Sequence, residues 1–253
     1  MYSSIKHVAI AAIVTGISIS GVAAVATMAP GTPAKDVTAG LDNDNAANTF
    51  IQPPGVAAKQ HMDNTDVLFG RGNDDLLRGN LGDDVLVAGP GNDILIGGPE
   101  KGAPINSDVL LGGKGNDINI WAPGDGSDAY AGEDGYDTMI FAPFAPGTTT
   151  DIAFEHFHGR LIPKVDITDR PAFTCELVAV PESEDLGAQF LVRFAVNGTT
   201  AVTVRQKDVE RVICPGPASG QVQVANLQSA HPAFHLADIR SLRGVTGAIV
   251  ATP

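Results

Sequence analysis

The chain has 253 residues, a formal net charge of −13 and two cysteines. At 43% hydrophobic residues it can bury a core and is not a wholly disordered chain. Its acidity excludes a nucleic-acid binder, which needs clustered Lys and Arg, and two cysteines exclude a disulfide-dense scaffold or a cysteine-based zinc module.

The N-terminus reads as an export signal. Lys6 and His7 precede an apolar run from Val8 to Ala26 that closes on Ala24-Val25-Ala26, an A-x-A cleavage pattern. The expectation is a signal peptide over residues 1–26 cut before Thr27, with an uncleaved anchor as the alternative. Gly16, Ser18, Ser20 and Gly21 inside the run favour cleavage. No later stretch is long and apolar enough to cross a bilayer. The expected product therefore has no membrane span after cleavage and is extracellular, where a disulfide persists. Residues 27–61 read as a flexible linker, with Pro30, Pro33, Pro53 and Pro54 around an Asn-rich middle.

Residues 62–141 are a module of their own. They hold 15 of the 29 Asp and Glu but four of the 16 Lys and Arg, and 16 of the 29 Gly. An Asp-x-apolar unit recurs at Asp66, Asp74, Asp84, Asp93, Asp108, Asp128 and Asp137, and Asp117-Ile-Asn119 keeps the Asp without the apolar residue; the underlying period is nine. Gly-x-Gly-x-Asp precedes several of them: Gly70/Gly72/Asp74, Gly89/Gly91/Asp93, Gly113/Gly115/Asp117 and Gly124/Gly126/Asp128. Glycines permit the positive-φ backbone of a tight turn, and such a turn aims carbonyl oxygens inward. The Asp adds a carboxylate, so the unit offers hard oxygen ligands suited to Ca²⁺. The Val, Ile and Leu residues form a very short strand. One nonapeptide buries almost nothing, so turns must stack.

These residues resemble the RTX (hemolysin-type) calcium-binding repeat, G-G-x-G-x-D-x-U-x, with Gly112-Gly113-Lys114-Gly115-Asn116-Asp117 the fullest copy. The resemblance implies an all-β fold: a right-handed parallel β-roll in which two nonapeptides make one coil. Every second Asp then lies on one edge. Asp74, Asp93, Asp117 and Asp137 are spaced 19, 24 and 20, and Asp66, Asp84, Asp108 and Asp128 are spaced 18, 24 and 20. The shared jump of 24 marks one inserted loop near Glu100 to Asn106. The first edge carries the better turns, so the expected order of Ca²⁺ occupancy is 74/93 and 93/117, then 117/137. By resemblance the turn carbonyls belong to residues such as Gly70, Gly72, Gly89, Gly91, Gly113 and Gly115.

Residues 142–253 read as a small, mostly antiparallel β-domain or cap. Asp151 to Gly159 and Val165 to Thr168 look like a strand-turn-strand that covers the open end of the roll. Phe173–Val180, Gln189–Val196, Thr199–Arg205, Val209–Cys214 and Gln221–Leu227 read as strands, with Asn197-Gly198 as a hairpin turn and a short helix around Phe234 to Leu242. Cys175 and Cys214, in an exported chain, are expected to form a disulfide.

No catalytic motif is present: there is no HExxH and no Gly-x-Ser-x-Gly. His156, His158, His231 and His235 read as surface histidines, and Asp151, Glu155, Asp166 and Asp169 as solvated acids. The functional expectation is a secreted, non-enzymatic calcium-binding protein whose roll folds on Ca²⁺. Residues 142–253 are expected to meet a cell-surface, carbohydrate or protein partner. The alternative is a small secreted hydrolase or carbohydrate-active enzyme with its site in 142–253.

Overall fold

The computed structural model describes residues 27–30, 37–39, 66–79, 83–98, 107–122, 124–142, 153–157, 160–165, 167–184, 187–242 and 250–251. The expected signal peptide, most of the linker and the inserted loop at 100–106 lie outside them.

Ten short strands come first: β1 (Thr27–Pro30), β2 (Val37–Ala39), β3 (Asp66–Phe69), β4 (Leu76–Arg78), β5 (Val85–Pro90), β6 (Ile94–Ile96), β7 (Val109–Gly115), β8 (Ile118–Trp121), β9 (Ala129–Gly135) and β10 (Thr138–Phe141). The odd-numbered strands pair in parallel in one sheet and the even-numbered strands in a second. Each coil thus gives one strand to each sheet, as expected of a parallel β-roll. Leu68, Leu86, Leu110 and Tyr130 stand in register in the first sheet, and Leu77 and Leu95 in the second. All six are buried in one core between the sheets. The inserted loop leaves the register intact: Leu86 pairs with Leu110 and Ile94 with Ile118 across it. Two stretches of the expected linker also join the roll. β1 pairs with β3 and β2 with β4, adding one strand to each sheet.

The remaining strands are β11 (Ala153–Phe157), β12 (Arg160–Val165), β13 (Phe173–Ala179), β14 (Phe190–Val196), β15 (Thr199–Lys207), β16 (Arg211–Pro215), β17 (Gln221–Asn226), β18 (His235–Asp238) and β19 (Val250–Ala251). The C-terminal half continues the same two sheets. β15 runs parallel to β9 and β16 parallel to β10, as a further coil would. From there both sheets turn antiparallel, through β14 and β13 in the first and β17 and β18 in the second. Asn197 and Gly198 both have positive φ, the backbone of a primed hairpin turn.

One apolar cluster runs through roll and cap, from Leu68 to Leu227. At the seam Phe194 of β14 lies 5.0 Å from the Trp121 ring and 5.3 Å, stacked, from Phe141. Cys175 of β13 and Cys214 of β16 form the expected disulfide and so bolt one sheet to the other. Closing that loop of sequence separation 39 contributes about 4 kcal/mol in the chain-entropy picture.

Two expectations change. The hairpin of β11 and β12 does not close the end of the roll, because β15 and β16 already do. It belongs instead to a second cluster, where Phe154, Val165 and Ile167 pack with Leu76, Ile94, Ile96, Ile118, Ile120 and Ile140. Those isoleucines alternate with the inward Leu77 and Leu95, so they project from the outer face of the second sheet. A sheet apolar on both faces needs a cover on each. The helix expected around Phe234 to Leu242 is strand β18 followed by one 3₁₀ turn, Ile239–Ser241, capped by Asp238.

Phe194→Ala is expected to destabilise the calcium-loaded protein by about 3–5 kcal/mol and to melt roll and cap together. Thermal unfolding followed by circular dichroism checks this; a cap that melts by itself would contradict the shared core.

Candidate metal centre

The turns that lead from the first sheet to the second end on a buried acid immediately before each strand of the second sheet. The N–H of Asp75 donates to Asp93 Oδ1 at 2.6 Å, that of Asp93 to Asp117 Oδ1 at 2.8 Å, and that of Asp117 to Asp137 Oδ1 at 2.8 Å. The N–H of Asp137 donates to Glu210 Oε2 at 2.6 Å. Each carboxylate thereby clips its own coil to the one before. Farther out runs a second ladder of opposite direction. The N–H of Asn92 donates to Asp74 Oδ1, that of Asn116 to Asn92 Oδ1 and that of Tyr136 to Asn116 Oδ1.

Asp74 therefore belongs to the outer ladder, and the inner position expected for it is held by Asp75. The register explains the shift. Phe69 pairs with Val87, which aligns Arg71, Gly89, Gly113 and Glu133, and likewise Asn73, Gly91, Gly115 and Gly135. Gly70 takes the first turn position, while Gly72 falls between the two left-handed ones. Arg71 and Asn73 adopt positive φ where the full copy has Gly113 and Gly115. Those two glycines are required by contact as well as by φ. A Cβ on Gly113 or Gly115 would collide with the carbonyl oxygen of Gly89 or Gly91 in the preceding coil. The turn carbonyls of successive coils are thus stacked against backbone, and the residues offering them in the first turn are Arg71 and Asn73.

The other edge repeats the arrangement. The N–H of Asp84 donates to Asp108 Oδ1 and that of Asp108 to Asp128 Oδ1, at 2.7 and 2.9 Å. Asp66 begins β3 in the same phase. Asp125 was not anticipated. It is buried, with Oδ1 accepting from the Gly98 N–H at 2.6 Å and Oδ2 from the Ala122 N–H at 3.2 Å. Oxygens of Asp108, Asp125 and Asp128 lie within 4.8 Å of one another. Three converging carboxylates thus sit on the edge that the glycine pattern ranks lower.

These acids are costly to ionise together. Burial pushes Asp117 up to about 8; the N–H of Asp93 opposes the rise, and the charges of Asp93, Asp137 and Asp74 add to it. Burial raises Asp137 to about 7, against the N–H of Asp117 and with Glu210, Asp208 and Asp134 adding. Asp125 is held well above the usual carboxylate range by burial, then by Asp128 and Asp108.

A calcium ion fits this chemistry. The Oδ2 atoms of Asp117 and Asp137 are buried and accept no hydrogen bond among the described residues. A Cβ on Gly112 would lie 2.5 Å from Asp117 Oδ2 and 2.9 Å from the Gly132 carbonyl oxygen, so the missing side chain leaves a cradle between a carboxylate and a carbonyl. Gly70 stands likewise against Asp75 Oδ2 and the Ala88 carbonyl, and Gly79 against Asp84 Oδ2 and the Gly97 carbonyl. The donors are all oxygen, which suits Ca²⁺ over the softer transition metals.

Among the described residues the other candidates do not gather. His231 and His235 are exposed, as is Asp169. Asp151, His158 and Asp166 lie outside the described residues, as do the side chains of Glu155 and His156. Among the residues missed, Glu210 left a trace: Glu210-Arg-Val-Ile repeats the acid-x-apolar pattern of Asp137-Thr-Met-Ile.

Residues 63–99 and 106–118 match the RTX calcium-binding nonapeptide repeat family, in four copies. No curated protein matches the chain significantly. The carboxylate ladder runs past the matched residues, through Asp137 to Glu210.

Two outcomes follow. Asp75→Asn is expected to lower the number of bound calcium ions by one, and Asp74→Asn to leave it unchanged; calorimetric titration with Ca²⁺ decides, and the reverse result would restore Asp74 to the inner ladder. The second concerns pH. Asp117 and Asp137 have folded-state pKa values above the ordinary 3.8, so the calcium-free fold binds protons more tightly than the unfolded chain. Their contribution is full below the ordinary value and is lost as pH rises through about 7 and about 8. In EDTA the folded fraction should fall as pH rises from about 4 to about 8, and saturating calcium should remove that fall. A rise with pH in EDTA would contradict the assignment.

Proposed function

We propose that this is a secreted calcium-binding protein of structural or interaction role, whose roll becomes a stiff spacer when Ca²⁺ fills its edges. The observation that carries the reading is the line of buried carboxylates from Asp75 to Glu210, clipped coil to coil and set against glycine cradles. Buried acids stacked one per coil repel one another, so the metal-free chain is poorly stable and calcium binding free energy becomes folding free energy. The Cys175–Cys214 disulfide supports an oxidising compartment and hence export through the N-terminal segment. Extracellular calcium levels match the weak end of oxygen-ligand affinities, which suits a module that folds after export.

The role is non-catalytic in this reading. A surface depression of about 690 Å³ lies beside the roll–cap seam. Val180, Glu182, Glu184, Gln189, Lys207 and Gln228 are among its lining. Its mixed polar lining suits contact with a cell-surface, carbohydrate or protein partner through residues 142–253.

Full-length protein in EDTA is expected to lose most of its β signal in far-UV circular dichroism, and millimolar-range Ca²⁺ to restore it. Because cap strands continue both sheets of the roll, the loss should extend to the cap. Identical spectra with EDTA and with calcium would refute the reading.

A further inference from the structure

The last step of the inner ladder differs from the others. Asp137 is fully buried, its Oδ1 accepts from the Asp117 N–H, and its Oδ2 accepts no hydrogen bond among the described residues. That Oδ2 lies against Gly132 of its own coil. A Cβ on Gly132 would collide both with it and with the carbonyl oxygen of Asp208. The relation is the one found one coil earlier, where Gly112 stands between Asp117 Oδ2 and the Gly132 carbonyl. In that pair the carbonyl comes from the next repeat; here it comes from the cap.

The cap segment is built to present that oxygen. Ala131 pairs with Lys207 and Thr138 with Arg211, so the cap covers with Asp208, Val209 and Glu210 what the repeat covers with residues 132–137. Asp208 adopts φ +50, and both its N–H and its Oδ1 are held by the side-chain amide of Gln189, at 2.8 and 3.0 Å. Glu210, one methylene longer than Asp, reaches back to the Asp137 N–H, and its Oε1 accepts from Gln228 Nε2 at 3.4 Å. Glu133, Asp208 and Glu210 line the depression at the seam, which gives an ion a path from solvent; Lys207 lines it as well. Arg211, next to Glu210 in the chain, is turned elsewhere: it donates to Thr138 Oγ1 and stacks over the Tyr136 ring.

We propose that the roll ends in a calcium site shared with the cap, in which Asp137 Oδ2 and the Asp208 carbonyl oxygen are ligands and Glu210 supplies supporting negative charge. This rests on the reading of the roll as a calcium binder and extends it to a segment outside the repeats. The consequence is that the final ion welds β9 and β10 to β15 and β16. Calcium then governs the docking of the cap as well as the order of the repeats.

Native mass spectrometry and calorimetry of the full chain with Ca²⁺ test it. Asp137→Asn keeps the shape and an acceptor for the Asp117 N–H, and is expected to bind one ion fewer while the rest remain. Glu210→Gln removes the charge and keeps an acceptor for the Asp137 N–H; its NH₂ replaces the oxygen that accepts from Gln228, whose side-chain amide can turn its own oxygen to meet it. It is expected to weaken one ion about tenfold with the others unmoved, since the negative charge around an oxygen site tunes its calcium affinity. Should Asp137→Asn fail to fold, Glu210→Gln decides by itself. An unchanged ion count in folded Asp137→Asn, or an unchanged isotherm in Glu210→Gln, overturns the shared site and leaves the roll as a calcium binder. A wild-type chain that binds no calcium overturns the roll reading itself.

Discussion

Every coil of this protein must place a carboxylate above the carboxylate of the coil before. Stacking like charges in a buried column is unfavourable, and two devices hold the column together. Each acid accepts a backbone N–H from its neighbour through one oxygen, which favours the ionised form. The other oxygen, in Asp117 and Asp137, is left for a cation. The hydrogen bonds fix where the acids sit, and the cation decides whether the arrangement is stable. A roll of this kind is therefore a scaffold whose strength is set by its surroundings, and its fold and its calcium chemistry are one property.

The cap follows from the same geometry. A parallel roll has two open sheet ends, and an open end invites other chains to pair with it. Here the chain leaves the roll after β10, lays the β11–β12 hairpin on the outer face of the second sheet, builds β13 and β14, and only then returns to pair β15 with β9 and β16 with β10. The last coil is thus made from residues far along the sequence. The aromatic group of Trp121, Phe141, Phe194 and Phe173 and the Cys175–Cys214 bond fasten it. Roll and cap share a core, so they cannot be separate cooperative units.

Much of this was legible because the repeat writes its structure locally. A nine-residue period with glycine turns and a single inward residue, most often Leu, has few other solutions. The cap strands were legible from alternation and from Asn197-Gly198. The first turn is the exception: Gly70-Arg-Gly72-Asn-Asp74 mimics the motif one residue early, whereas the fold sets Asp75 on the inner ladder. The trace of that slip was a spacing of 19 on one edge against 18 on the other. With Asp75 in place, both edges step by 18, 24 and 20. Arg71 and Asn73, bent into the left-handed region, hid the true phase because that region is the one glycine normally marks.

By itself the sequence determined that residues 62–141 stack as a roll with carboxylates on its edges, because period, glycine placement and charge are local properties of each repeat. It determined the cap strands between Phe173 and Leu227 from alternation and turn residues, and the disulfide partners because the chain has two cysteines. Only the tertiary structure decided which of two adjacent aspartates faces inward, that Asp125 joins Asp108 and Asp128, and that Glu210 ends the ladder. Those facts depend on pairing between segments distant in the chain, such as Asp137 with Glu210. Sequence periodicity carries no information about where a chain returns after a long excursion; a shared core and a sheet edge awaiting a strand do.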